Sequence, residues 1–470
     1  MSVPAGIDAD RGPPMAVPLA HFLAGFAFLL AGAALGLLGA AGLAPGLHGL
    51  AHVHLLLVGW VCLTILGAMT QFVPVWSGVE LHSRRLALAQ LALVAGGVAG
   101  FAGLLVAGRL DLLPAAGATM LAGFWLFVYN VGRTLWRAAG RGSAEEGDGL
   151  PLDATERHFA LALGHVLLVT TLGFLLALDF VRPTLAPTGL ARPRVVAAHA
   201  TFAVFGIVLT TVVGALYQLA TMFTQTELRG VDTTLQRAQE LAYTPGVLAL
   251  AAGRLVGAEW VARVGALLVA ASLLAFAAVL ARKLRETKVE RTPMLSRYAV
   301  VAVALPAWAL AALPSWLARP ADPATTFGHP AAGHLLAAGA VGFVLLGTLY
   351  HVVPFVVWVR RYSDRVGLEP VPMIDDLYDG RLAAVDFWLT LAGVGLVVLG
   401  EVGDAEALLL AGGALALVGF TAFAANLTGV VVRHGPESLR VGTLGESSGA
   451  VASGESAASG DAADDADDLS

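Results

Sequence analysis

Four histidines, His52, His54, His199 and His334, stand at repeated distances from a glycine on three apolar stretches of the chain. Aligned on Gly67, Gly214 and Gly347, each stretch has a second glycine eight residues earlier (Gly59, Gly206, Gly339) and a small residue just after the anchor (Ala68, Ala215, Thr348). A polar side chain follows four residues after it: Gln71, Gln218 or His351. His52 and His199 lie fifteen residues before their anchors, and His54 and His334 thirteen before theirs. Neutral imidazole is a ligand for haem iron and for copper, and ionisable or metal-binding side chains within an apolar segment mark a functional site. The shared registers predict two pairs at equal depth, His52 with His199 and His54 with His334, as the two axial ligands of a haem require. Two residues turn an α-helix through about 200°. His52 and His54 therefore face opposite sides of one helix, which can serve two sites.

The remaining polar positions carry weaker signals. Glycines eight residues apart lie on nearly one helix face, where small residues let another helix or a flat ligand come close. His351 reads as a polar cap or pore-lining group. Tyr217 and Tyr350 share a register, and a buried tyrosine hydroxyl needs a partner. His48 and His329, at segment starts, read as propionate or solvent contacts, and His165 as a packing histidine. His21, His82, His158 and His434 read as interfacial or solvated. Asp386 and Asp179 are the few carboxylates within apolar segments that a proton relay could use, so no uptake path is evident.

The elements that must hold these residues are transmembrane helices. Hydrophobic residues make up 57% of the chain and charged residues 13%, with mean hydropathy +0.77, outside the range of ordinary soluble domains. Twelve runs are long enough to cross about 30 Å of hydrocarbon. They fall at about 17–44, 46–76, 86–108, 112–136, 158–181, 195–224, 238–256, 259–281, 297–318, 327–359, 382–401 and 404–432. Lipid offers no partner for backbone polar groups, so each must be a helix. The motif falls on the second, sixth and tenth segments. The predicted fold is thus all-α and integral to the membrane, with twelve helices in three four-helix repeats about a pseudo-threefold axis along the membrane normal.

Lys and Arg concentrate in the loops after even-numbered segments, most densely between Arg282 and Arg297, whereas Arg182, Arg192 and Arg194 form a contrary cluster after the fifth. The positive-inside rule then puts both termini in the cytoplasm of a multi-pass cell-membrane protein and the motif histidines near the outer face. The chain divides into a short cytoplasmic segment (1–16), the membrane domain (17–432) and an acidic tail (433–470). That tail and the loop at 139–156 are too poor in apolar groups to fold. The net charge of −6 comes largely from the tail and gives no sign of a nucleic-acid partner. A single cysteine, Cys62, excludes a disulfide framework and a Cys-ligated cluster.

This pattern resembles subunit I of the haem–copper oxidase superfamily. The likeness spans about 17–432, and AHVHLLLVGWVCLTILGAMTQFVP looks like the second-helix haem segment of short proteins near the cbb-type oxidase and nitric oxide reductase branch. The resemblance implies that His54 or His52 with His334 holds a low-spin b-type haem and that His199 matches a copper ligand of the sixth helix. It also implies a respiratory electron donor (a small cytochrome, a cupredoxin or a quinol), further membrane subunits, and oxidoreductase chemistry on a diatomic gas, O2 or NO. The family's copper site also draws on a histidine pair in the seventh helix. Here that segment, LQRAQELAYTPGVLALAAGRL, has no histidine, and the His-x-His pair of the tenth helix stands on the second instead. One or two haems are therefore expected and copper is left open. A haem protein of the nitric oxide response, of the NnrS kind, and a repeat-built transporter are the alternative readings.

Overall fold

The computed structural model describes residues 13–145 and 152–440. Every regular element among them is helical. The long helices are α1 (Ala16–Ala40), α2 (His48–Trp76), α3 (Arg84–Val106), α4 (Leu113–Glu145), α5 (Ala154–Leu178) and α6 (Arg192–Thr224). They continue as α7 (Val231–Val256), α8 (Glu259–Arg285), α9 (Pro293–Ala318), α10 (Leu335–Arg361), α11 (Gly380–Gly403) and α12 (Glu406–His434). Their ends are set locally. Asp153 and Glu156 form a capping box at the start of α5, and the side chains of Ser83, Thr292 and Asp379 accept the first free N–H groups of α3, α9 and α11.

Eleven of these helices are long and apolar enough to span a bilayer, one fewer than the sequence pattern predicts. The exception is α7. It is 26 residues long, but Asp232, Arg237, Glu240 and Arg254 lie along it, so no membrane-length window is sufficiently apolar. Asp232, buried at its start, meets Arg282 at 2.7 Å and Lys283 at 2.9 Å on α8. The loop expected at 139–156 is also shorter than predicted. Helix α4 runs on to Glu145 because the Ala- and Glu-containing stretch propagates it, and the Asp153 capping box starts α5 early. Residues 433–440 of the expected tail are helical or turn-like, closing α12 and adding one turn at Glu437–Arg440. The rest of the tail, residues 1–12 of the N-terminal segment and residues 146–151 lie outside the described residues.

The motif helices are the innermost. Of their membrane windows 67% (α2), 78% (α6) and 83% (α10) is buried, against 56% or less in every other span. Each packs along the helix before it: α2 on α1, α6 on α5 and α10 on α9. Helices α3 and α4, α7 and α8, and α11 and α12 pair outside them, and α4 meets α5, α8 meets α9 and α12 meets α1. The anchor glycines set the closest approach. A Cβ on Gly67 would lie 2.6 Å from the His21 Cβ, one on Gly214 would collide with the His158 Cβ, and one on Gly347 would lie 3.1 Å from the Arg297 Cβ. His21 and His158 are thus buried packing groups, not interfacial ones. Their rings donate from Nδ1 to the carbonyls of Val17 and Ala154 one turn back.

Beside Gly347 the equivalent place is held by Arg297, and α9 to α12 are tied together through it. Its guanidinium pairs with Asp386 and donates to the Ala383 carbonyl at 3.0 Å, while Tyr350 donates to the other Asp386 oxygen and Asn426 to Tyr350 at 3.1 Å. Asp386 is therefore committed to structure. So is Asp179, whose carboxyl is held below the usual range by the Leu185 N–H and by the Arg192 guanidinium 2.7 Å away.

Replacing Gly214 by alanine should lower stability by about 1–3 kcal/mol, because the new methyl meets a backbone-fixed atom across the α5–α6 contact. Gly100→Ala, whose Cβ has Ala116 at 3.9 Å, should be neutral or slightly stabilising. Thermal unfolding of the two variants in detergent micelles measures the difference.

Candidate functional site

Each motif helix contains a π-helical stretch of eight residues: Leu55–Cys62, Phe202–Leu209 and Leu335–Gly342. All three begin twelve residues before the anchor glycine and enclose the second glycine, Gly59, Gly206 or Gly339. π-Helical turns cost backbone geometry and concentrate at functional sites. Here they directly follow His54, Thr201 and His334, which share one register.

The four predicted imidazoles stand at the N-terminal ends of these helices or in their first turns. His52 lies close enough to His334 to interact with it electrostatically, and His54 does so with His199. On α2 the two histidines point about 200° apart: His52 packs on Gly36 of α1, and the His54 ring lies against Phe101 of α3 with centroids 4.8 Å apart.

Each ring is fixed at Nδ1. His52 donates to the Gly32 carbonyl at 2.8 Å, His54 to Leu50 at 2.8 Å and His199 to Val169 at 2.9 Å, while His334 meets the Glu401 carboxylate at 2.5 Å. An acceptor at Nδ1 places the proton there and leaves the Nε2 lone pair as the ligating atom. Nε2 of these four rings has no hydrogen-bond partner among the described residues. His52 and His199 also share a seat on the preceding helix. A Cβ on Gly36 would stand 2.5 Å from His52 Cε1, and one on Gly173 would stand 2.9 Å from His199 Cε1, so both glycines make room for a ring. All four side chains are half-buried.

These features fit axial ligation of a haem: a fixed tautomer, a supporting acceptor behind each ring, and an Nε2 lone pair left without a partner. A three-imidazole copper site does not fit. Among the described residues no group of three or more His, Cys, Asp or Glu is placed to share an ion, and α7 brings none to His199. Glu401, near the end of α11, is a site residue that motif reading missed because it lies outside the repeated helices. Its signal was a lone carboxylate closing the apolar run LVVLGEVG.

The other histidines stand apart. His165 is buried beneath Gly206, His351 packs on Phe223 with ring centroids 4.2 Å apart, and His329 caps Ala331. His48 lies against Gly39, close enough to His52 for its charge to be felt. His82 accepts from Arg137 and His434 meets the Tyr362 hydroxyl. Comparison with protein-family models and with curated proteins finds no match for this chain.

The pairing is testable without a cofactor. Cysteines placed at 52 and 334, or at 54 and 199, in a Cys62→Ser background should be bridged by dibromobimane, which fluoresces strongly when it joins two thiols. The combinations 52 with 199 and 54 with 334 should stay dark.

Proposed function

We propose that this chain is a twelve-span membrane haem protein of the haem–copper oxidase subunit I kind, specialised for electron transfer. It would hold two b-type haems, one between His52 and His334 and one between His54 and His199. The observation that carries this reading is the set of four Nδ1-anchored imidazoles, of which His52 feels the charge of His334 and His199 that of His54. When bound, each haem supplies a one-electron iron couple. The chain's own part is to fix the tautomers, to seat His52 and His199 against Gly36 and Gly173, and to place both sites on one helix so that they are neighbours.

Three four-helix repeats about a pseudo-threefold axis are part of the proposal. It is supported by the common register of the π segments, by the matching seats of the anchor glycines, and by the equivalent packing of α1, α5 and α9 on the motif helices. In this reading α7 is the twelfth span, shielded by α8, and both termini face the cytoplasm of the cell membrane. Two imidazoles per iron leave no open coordination position, which favours electron transfer over reduction of O2 or NO. The clustering of imidazoles at one end of the bundle, away from the bilayer midplane, speaks against a transporter with a central substrate site. A small cytochrome, a cupredoxin or a quinol remains the class of donor this reading requires.

Reduced-minus-oxidised spectra of the purified protein should show b-type bands. His52→Ala and His334→Ala should remove the same component, and His54→Ala and His199→Ala the other. Carbon monoxide should leave the reduced wild-type Soret band in place. A carbon monoxide shift in wild type would replace electron transfer by the gas-reactive reading, and a protein with no haem would end both.

A further inference from the structure

The two proposed sites differ in the charge built around them. Behind His334 stands the carboxylate of Glu401, 2.5 Å from Nδ1, and the second oxygen of that carboxylate is buried without a hydrogen-bond partner. No Arg or Lys pairs with it among the described residues. A carboxylate hydrogen-bonded to an axial imidazole pushes electron density onto the ring and so stabilises the more highly charged, oxidised metal.

On α6 and α10 the remaining positions of the two registers are Thr201 and Ala332. One turn beyond Thr201, Phe205 packs with Trp308 and Trp316 of α9 and with Phe327, ring centroids 5.5–6.4 Å apart. Into this cluster α7 inserts Arg254, fully buried. Its guanidinium donates to the Thr201 hydroxyl at 2.7 Å and to the carbonyls of Pro320 and Thr325 at 3.1 and 3.4 Å, and it lies 5.5 Å from the Trp316 ring. All of these partners are neutral, and no carboxylate pairs with Arg254 among the described residues. Arginine keeps its charge in proteins, and charge in a low-dielectric interior is weakly screened. The hydroxyl that binds it belongs to the residue two beyond His199.

We infer that Glu401 and Arg254 are positioning residues that set the two sites at different reduction potentials, lower at His52–His334 and higher at His54–His199. The inference rests on the two-haem reading proposed above. Its consequence is direction: with haem bound, the Glu401 side would favour giving up an electron and the Arg254 side accepting it, a one-electron exchange in which no bond would form or break. Because His52 and His54 share α2, the step needs no motion of the chain.

Spectroelectrochemical titration of the full-length protein tests this. Wild type should show two one-electron transitions, the lower one lost with His334→Ala. Glu401→Gln, which keeps a hydrogen-bonding group and removes the charge, should raise the lower transition by at least a tenfold change in equilibrium constant, 59 mV for one electron, and leave the upper one in place. Arg254→Gln should lower the upper transition by a similar factor, and Arg254→Lys should restore it. Two haems whose potentials do not respond to Glu401→Gln, or a lower transition that belongs to His54–His199, would overturn the inference while leaving the two-haem reading intact. Absence of haem would overturn both. If Arg254→Gln fails to fold, Glu401→Gln and Arg254→Lys still decide the matter.

Discussion

The arrangement depends on hydrogen bonds at Nδ1 of four imidazoles. A histidine within a membrane can be a buried packing group or a ligand, and which it becomes is settled by where its proton sits. Carbonyls of Gly32, Leu50 and Val169 and the carboxylate of Glu401 fix that proton away from the neighbouring helix, so Nε2 is offered to it. Two of those acceptors lie on the helices before α2 and α6, which is why the close α1–α2 and α5–α6 packing matters. Gly36 and Gly173 on those helices leave room for the His52 and His199 rings.

The same helix positions have been put to different uses. His21 and His158 wedge against the first two anchor glycines, and Arg297 does so against the third, where Asp386 and Tyr350 satisfy it. A buried ion pair of this kind costs desolvation, and removing one partner is far worse than never having had either. Likewise, among the described residues His52, His54, His199 and His334 keep an unpartnered ring nitrogen, whereas Thr201, in the register of His54 and His334, binds Arg254 beside Trp316.

Much of this was legible in the sequence. Apolar run length located eleven spanning helices, and the glycine and histidine spacing picked out α2, α6 and α10, the three most buried, and four imidazoles near their N-terminal ends. What the spacing could not give was the acceptor behind each ring, since Gly32, Val169 and Glu401 lie on other helices. Burial was equally hidden for His21 and His158: each lies in the first turns of its helix, where composition suggests an interface, and only the glycine opposite reveals the close seat. Glu401 and Arg254 lie outside the motif, on α11 and α7, and nothing local marks them as neighbours of the site. The charges that keep α7 from reading as a plain apolar span include the arginine that binds Thr201 of α6.

The central claim is that one helix, α2, is the shared wall of two bis-imidazole sites. The haem content of the purified chain, measured as the pyridine haemochrome against quantitative amino-acid analysis, tests it most directly. Two b-type haems per polypeptide are expected, with copper well below one equivalent in the same sample. One haem per polypeptide, or a full equivalent of tightly bound copper beside a single haem, would contradict the account.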